Sequence, residues 1–290
     1  MMIMRSSSPC WCGRDKTYGE CHKPVEEKLK QLKKQKQIVP KKKLIKTVSQ
    51  IEGIKRAGAA NQKVLDYVEK YVKAGVTTEE INARVDEYTR KIGGIPATLG
   101  YEGYPKSVCT SINEVVCHGI PDPERELKEG DIVNIDCTTI MDGYFGDASR
   151  MYCIGDVSAE KRQLVEATKK CTEIGVAAIK PWGYLGDVGF VIESYAKSLG
   201  YSVVREIGGH GCGVQFHEDP FVYHVGRPNT GMILVPGMTL TVEPMINMGG
   251  AEVYIDDSDG WTVYTEDGSP SAQVEYMILV TDTGVEIISQ

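Results

Sequence analysis

The chain has 290 residues, 41% of them hydrophobic and 25% charged, with a formal net charge of −7. These values describe a water-soluble globular chain of one large or two ordinary domains. No apolar run approaches the roughly 20 residues of a membrane helix, and "MMIMRSSSPCWCG" has no signal-peptide core, so a cytoplasmic protein that does not enter a membrane is expected. The charge is unevenly spread. Residues 1–50 hold thirteen bases and four acids, and the rest holds twenty bases and thirty-six acids. A basic appendage on an acidic body is the expectation.

In chain order, "PCWCGRDKTYGECHK" is rich in Cys and His, and "KPVEEKLKQLKKQKQIVPKKKLIK" is a Lys-rich stretch with too few large apolar residues for a core. It reads as a solvated linker or a partly helical arm. From about Val48, Ile51, Ile54, Val64, Leu65, Val68 and Val72 recur at helical spacing up to Gly75. A second helix follows in "TTEEINARVDEYTRKIGG", where Thr77 and Glu80 suit a capping box. Strands are expected in "KSVCTSI", "DIVNIDCTTI" and "YFGDASRMYCI". Two more helices fit "SAEKRQLVEATKKCTEIGVAAIK" and "DVGFVIESYAKSLG", before strands in "YSVVREIGG", "MTLTVEPMI", "WTVYTEDG" and "AQVEYMILVT". Six single cysteines, Cys109, Cys117, Cys137, Cys153, Cys171 and Cys212, read as buried thiols of a reducing compartment.

The order helix, helix, strands occurs twice. Gly130 precedes Asp136 by six residues and Gly237 precedes Glu243 by six, while His118 and His217 each stand three residues before a proline. The joint pattern favours a duplicated α+β architecture around one central site.

Within "VNIDCTTIMDGYFGDASR", Asp136 and Asp147 flank Asp142-Gly143. A two-residue turn puts Asp136 opposite Ser149 with Asp147 diagonal to it; a four-residue loop puts the two acids opposite each other. Either register brings two carboxylates to one face, which costs several kcal/mol at low dielectric unless a cation or a proton lies between them. His210 and His217 in "EIGGHGCGVQFHEDP", Glu243 before Pro244, and Glu275 inside an apolar strand extend the set. Each alone suits an ordinary core or surface role. Together, four carboxylates and one or two imidazoles are donors for a pair of divalent cations.

The stretches "IPATLGYEGYPKSVCTSINEVVCHGIPD", "GDIVNIDCTTIMDGYFGDASR", "IGGHGCGVQFHEDP", "TVEPM" and "SAQVEYMILVT" resemble type I methionine aminopeptidases of the bacterial kind, from about residue 48 to the C-terminus. That resemblance implies a pseudo-two-fold "pita-bread" (creatinase/aminopeptidase) fold. It implies two divalent ions (Co, Mn, Fe, Zn or Ni) on Asp136, Asp147, His210, Glu243 and Glu275, with Asp147 and Glu275 bridging. A metal-held hydroxide would attack the scissile carbonyl, Glu243 would shuttle the proton, and His118 and His217 would donate hydrogen bonds. The methionine pocket would use Tyr101, Tyr104, Cys109, Phe216 and Trp261, with Thr98 where some relatives carry a small thiol residue, and a monovalent cation would lie near Asn113, Val115 and Ser271. The substrates implied are N-termini of nascent polypeptides with small second residues, and the enzyme implied is a monomer.

Cys10, Cys12, Cys21 and His22 supply a tetrahedral set for structural zinc and resemble the SEC-C motif, with Gly13-Arg14-Asp15 in place of its usual Gly-Ser-Gly. The organisation expected is a zinc motif at 1–24, a Lys-rich linker at 25–47 and a dimetal catalytic domain at 48–290. The basic extension is expected to hold the enzyme near ribosomal RNA or protein. Alternatives within the fold are an X-Pro aminopeptidase or dipeptidase and a type II methionine aminopeptidase. A non-catalytic ribosome- or RNA-binding relative and a zinc-finger nucleic-acid binder come from other classes.

Overall fold

The computed structural model describes residues 4–290. Helix α1 spans His22–Lys34, α2 Val48–Val68, α3 Thr78–Lys91, α4 Ala159–Ala178 and α5 Gly186–Ser198. Both α2 and α3 begin with full capping boxes, Thr47 with Gln50 and Thr77 with Glu80. The second of these is the one expected from the sequence.

Helices α2 and α3 form one pair and α4 and α5 another, each packed on its own part of a nine-stranded sheet. In the first half, Val64, Leu65, Val68, Ile81 and Val85 meet Val133, Ile135 and Ala148 of the central hairpin. In the second half, Leu164, Cys171, Val188 and Ile192 meet Leu240, Val242 and Ile278. Side chains so fully enclosed contribute about 1.5–3 kcal/mol each. Helix α2 approaches the hairpin so closely that a Cβ on Gly146 would stand 2.4 Å from backbone atoms of Ala57 and Gly58, so only glycine fits there.

The hairpin Ile132–Met141 and Tyr144–Cys153 turns at Asp142-Gly143, both with positive φ, which is the two-residue turn. Asp136 therefore pairs with Ser149, and Thr138 pairs with Asp147. Gly130 and Gly237, the paired glycines of the internal repeat, both adopt left-handed backbone just before the strands that lead to Asp136 and Glu243.

Several expected strands are shorter than their apolar runs. Pro244 lacks the N–H that would extend Thr239–Val242, and the chain resumes as Met245–Asn247 in a separate three-stranded sheet. The run "AQVEYMILVT" is divided at Val274 between that sheet and the main one. The C-terminal strand Val285–Ser289 was not anticipated; it pairs with Glu275–Val280.

The Lys-rich stretch lies on the body. Val25, Leu29 and Leu32 of α1 pack against the second-half core, and Leu44, Ile45 and Lys46 are buried. Leucine and valine at helical spacing were enough to dock a helix whose remaining residues are mostly lysine and glutamine.

Candidate metal centre

Five neighbouring strands of the main sheet supply one candidate ligand each. In sheet order they are Ile132–Met141 with Asp136, Tyr144–Cys153 with Asp147, Glu275–Val280 with Glu275, Thr239–Val242 with Glu243 at its end, and Gly209–Gly211 with His210. Ser149 is the cross-strand partner of both Asp136 and Glu275, so these three form one row across the sheet. Ligand atoms of Asp136, Asp147 and Glu275 lie within 4.8 Å of one another, as do those of His210, Glu243 and Glu275.

The hydrogen bonds orient these groups toward a shared space. The Thr138 hydroxyl donates to Asp147 Oδ1 at 2.6 Å, and the Thr241 hydroxyl donates to Glu243 Oε1 at 2.6 Å. Gln273 Nε2 donates to Glu243 Oε2 at 3.1 Å. His210 Nδ1 lies 3.0 Å from the Gly211 carbonyl, which can only accept, so Nδ1 carries the hydrogen and Nε2 presents a lone pair. That Nε2 is 3.7 Å from Asp147 Oδ2 and 3.6 Å from Glu243 Oε1.

Acceptors thus face acceptors. Among the described residues no lysine or arginine lies within ion-pair distance of the four carboxylates. Burial pushes the carboxyls of Asp136, Glu243 and Glu275 well above the usual range, and neighbouring carboxylates push them further. Asp147 is raised to about 7 by burial against the opposing Thr138 hydrogen bond. Burial lowers His210 to about 3, so it stays neutral. Four carboxyls whose ionisation is penalised without a counter-charge, together with one neutral imidazole, fit divalent cations, whose bonds of about 2.0–2.2 Å span such separations.

All the residues expected around the centre line one cavity of about 650 Å³, including His118, His217, Tyr101, Tyr104, Cys109, Phe216, Trp261 and Thr98. His217 Nδ1 is 2.8 Å from the Tyr101 hydroxyl, and its ring stacks on Phe216 at 4.3 Å. His118 has φ +57 in the loop after the strand Val115–Cys117, and burial lowers its pKa to about 4. Tyr104 is locked by hydrogen bonds to the carbonyls of Val108 and Gly119 and meets Trp261 edge-on at 5.2 Å.

Away from this cavity, Asn113 and Ser271 are adjacent through the Ser271 N–H to Asn113 O bond at 2.8 Å. The Asn113 side-chain oxygen accepts from Lys161 Nζ of α4 at 2.8 Å, which brings an ammonium to this corner.

The N-terminal set is also assembled. Cys10 Sγ and Cys21 Sγ lie 3.1 and 3.2 Å from His22 Nδ1, and Cys12 Sγ lies 3.7 Å from Cys21 Sγ. Bonds of about 2.3 Å to sulfur and 2.0–2.1 Å to nitrogen give tetrahedral edges of about this length. The unit docks on the body through Arg14 to Asp282 at 3.0 Å and the Val48 N–H to the Cys12 carbonyl at 2.7 Å.

Sequence reasoning missed the supporting groups. Alternation puts Thr138 on the strand face of Asp136, but its bond to Asp147 was not read from it, and Thr241 stands two residues before Glu243. His224, which accepts the Glu243 N–H at 3.1 Å, and Lys46, which pairs with Glu218, gave no local signal.

A model of metallopeptidase family M24 matches residues 52–282. Methionine aminopeptidase A of Synechocystis is 47% identical over 240 residues, covering 83% of this chain and 94% of its own. The methionine aminopeptidase of Chlamydia muridarum is 42% identical over 293 residues, covering 99% of each chain. The crystal structure of methionine aminopeptidase from Rickettsia prowazekii superimposes with a TM-score of 0.83 at 46% identity, covering 85% of this chain and 99% of that one.

Proposed function

The chain belongs to metallopeptidase family M24, and from that premise we propose that it removes the initiator methionine from new polypeptides. The observation that carries this reading is the junction of two features in one cavity: five converging metal-type donors, and an aromatic and thiol-lined recess beside them. Tyr104, Cys109 and Trp261 suit a polarisable thioether, and the relatives named above are methionine aminopeptidases at 42–47% identity.

Asp136, Asp147, His210, Glu243 and Glu275 would hold two divalent ions, with manganese, iron, cobalt, zinc and nickel all compatible with the donor set. When bound, the ions supply Lewis acidity and a water of lowered pKa. Glu243, fixed by Thr241 and Gln273, accepts the proton of the attacking water on its carboxylate and returns it to the departing amine. With the Tyr101 hydroxyl donating to His217 Nδ1, Nε2 of His217 carries the hydrogen that is offered to the substrate carbonyl. His118, kept neutral by burial, donates to the developing oxyanion. The aromatic walls exclude water from the recess and orient the methionine side chain. A monovalent cation near Asn113, Val115 and Ser271 would brace the adjoining strands.

Cys10, Cys12, Cys21 and His22 hold a structural zinc, and Lys23, Lys30, Lys33 and Lys34, all exposed, give the extension a basic face for ribosomal RNA or protein. The enzyme acts in the cytoplasm as a monomer. No helix among the described residues is long and apolar enough to cross a membrane.

Peptide kinetics test the reading. Met-Ala-Ser should be cleaved at its first bond, and Ala-Pro and Met-Pro-free dipeptides of the X-Pro type should not; the reverse preference would favour the dipeptidase alternative. Cosedimentation with ribosomes should fall on removal of residues 1–40, a cut that leaves the buried Leu44, Ile45 and Lys46 in place. Unchanged cosedimentation would sink the tethering role.

A further inference from the structure

Three consecutive lysines, Lys41, Lys42 and Lys43, have three different destinations. Lys41 Nζ lies 3.9 Å from Asp219 Oδ2, and Lys42 Nζ lies 4.2 Å from the centre of the Trp11 ring in the zinc unit. Lys43 is exposed, lines the active-site cavity and forms no ion pair within 4 Å among the described residues. It is the one lysine or arginine among the described residues that line the cavity.

The backbone beneath Lys43 is fixed. Residues Lys42–Leu44 form a 3₁₀ turn, closed by the Leu44 N–H to Lys41 O and the Ile45 N–H to Lys42 O. Leu44 and Ile45 are buried. The Lys46 N–H bonds the Gly237 carbonyl, and its ammonium forms a buried pair with Glu218, the residue after His217. Lys43 therefore projects from an anchored turn rather than a floppy arm. The same lining includes Phe221, which is 40% exposed, Ile207, and two acids outside the metal set, Glu102 and the Asp219 that faces Lys41.

A cavity of about 650 Å³ takes a drug-sized ligand, far more than one methionine side chain. With the methionine side chain among Tyr104, Cys109 and Trp261, the residues after the scissile bond must run out of the cavity toward solvent. Each adds about 3.3–3.6 Å of extended chain. Building on the aminopeptidase reading, we propose that Lys43 is a specificity determinant that favours substrates with Asp or Glu at the third or fourth residue. An ammonium on a fixed turn, with no ion-pair partner among the described residues, meets that carboxylate. Substrates with Lys or Arg at those positions meet the same charge and are disfavoured.

The test uses the full, metal-loaded chain and peptides Met-Ala-X-Y-Trp with one acid, one lysine or serine only at X and Y. Acidic peptides should exceed lysine peptides about two- to fivefold in kcat/KM at low salt, through KM, the range of one exposed ion pair. The ratio should fall toward one at 0.5 M salt. Lys43→Met should abolish the preference and Lys43→Glu should invert it, both with the neutral peptide cleaved as in the parent. A ratio that Lys43→Glu leaves unchanged would overturn the role of Lys43. Failure of every variant and the parent on the neutral peptide would instead overturn the aminopeptidase reading, and this proposal with it.

Discussion

Thr138 and Asp147 stand directly opposite each other in the central hairpin, and the threonine hydroxyl donates to Asp147 Oδ1 at 2.6 Å. One oxygen of the carboxylate is thereby fixed and the other, Oδ2, is left toward His210. Thr138→Val keeps the shape of the side chain and removes the donor. Manganese affinity should fall about 10- to 100-fold, the usual cost of losing a group that orients a ligand. Calorimetric titration reads this directly, and an unchanged affinity would show that sheet geometry alone orients Asp147.

The metal-free protein should lose stability as pH rises. Asp147 has its folded pKa raised to about 7 from 3.8, and burial raises Asp136, Glu243 and Glu275 as well. For a carboxyl with a raised folded pKa, the protonated form is the one the fold accommodates. Its contribution is complete below about pH 3.8 and is lost as pH climbs through 7. Thermal unfolding of chelator-treated protein between pH 4 and 8 should show a falling Tm that saturating manganese removes. Manganese binding should also release protons, seen as a heat that depends on the buffer. A flat profile without metal would mean that the carboxylates are compensated by some other group.

Lys46 and Glu218 form a buried pair, and the other Glu218 oxygen accepts the N–H groups of Val214 and Gln215 at 3.0 and 3.1 Å. That carboxylate holds the loop that presents Phe216 and His217, so Lys46 is a positioning residue. Lys46→Met leaves a buried charge unpaired and should cost about 3–5 kcal/mol of stability. In the folded fraction kcat should fall more than KM rises, and Lys46→Arg should restore most of it. A variant with lost stability and full kcat would confine Lys46 to a structural role.

Cys12→Ser should remove one zinc per chain in native mass spectrometry and expose the first forty residues to protease. None of the four N-terminal donors lines the active-site cavity. Release of methionine from a short neutral peptide should therefore stay within about twofold of the parent. Unchanged zinc content would assign the metal elsewhere.

The meeting of Asp136 and Asp147 was legible because strand alternation brings both to one face with either a two-residue or a four-residue turn, and the structure has the two-residue one. The internal repeat did the same for Glu243, since its glycine and acid echo Gly130 and Asp136 in order and spacing. What joins the halves was less visible. Only the sheet order shows that five neighbouring strands deliver one donor each, because pairing between Glu275 and Ser149 spans more than a hundred residues. Lys46 and Glu218 are 172 residues apart, and a lysine in a Lys-rich stretch carries no mark that it will be buried. The same composition hid α1, whose docking depends on Val25, Leu29 and Leu32 finding the second-half core.

If the five converging donors hold the metal that cleaves a terminal methionine, turnover must depend on both the metal and the donors. The direct measurement is methionine release from Met-Ala-Ser by metal-stripped protein as manganese or cobalt is added back, beside Asp147→Asn treated identically. Release that grows with added metal in the parent and is at least a thousandfold lower in the variant is the predicted result. Release that needs no metal, or that survives Asp147→Asn, would contradict the account.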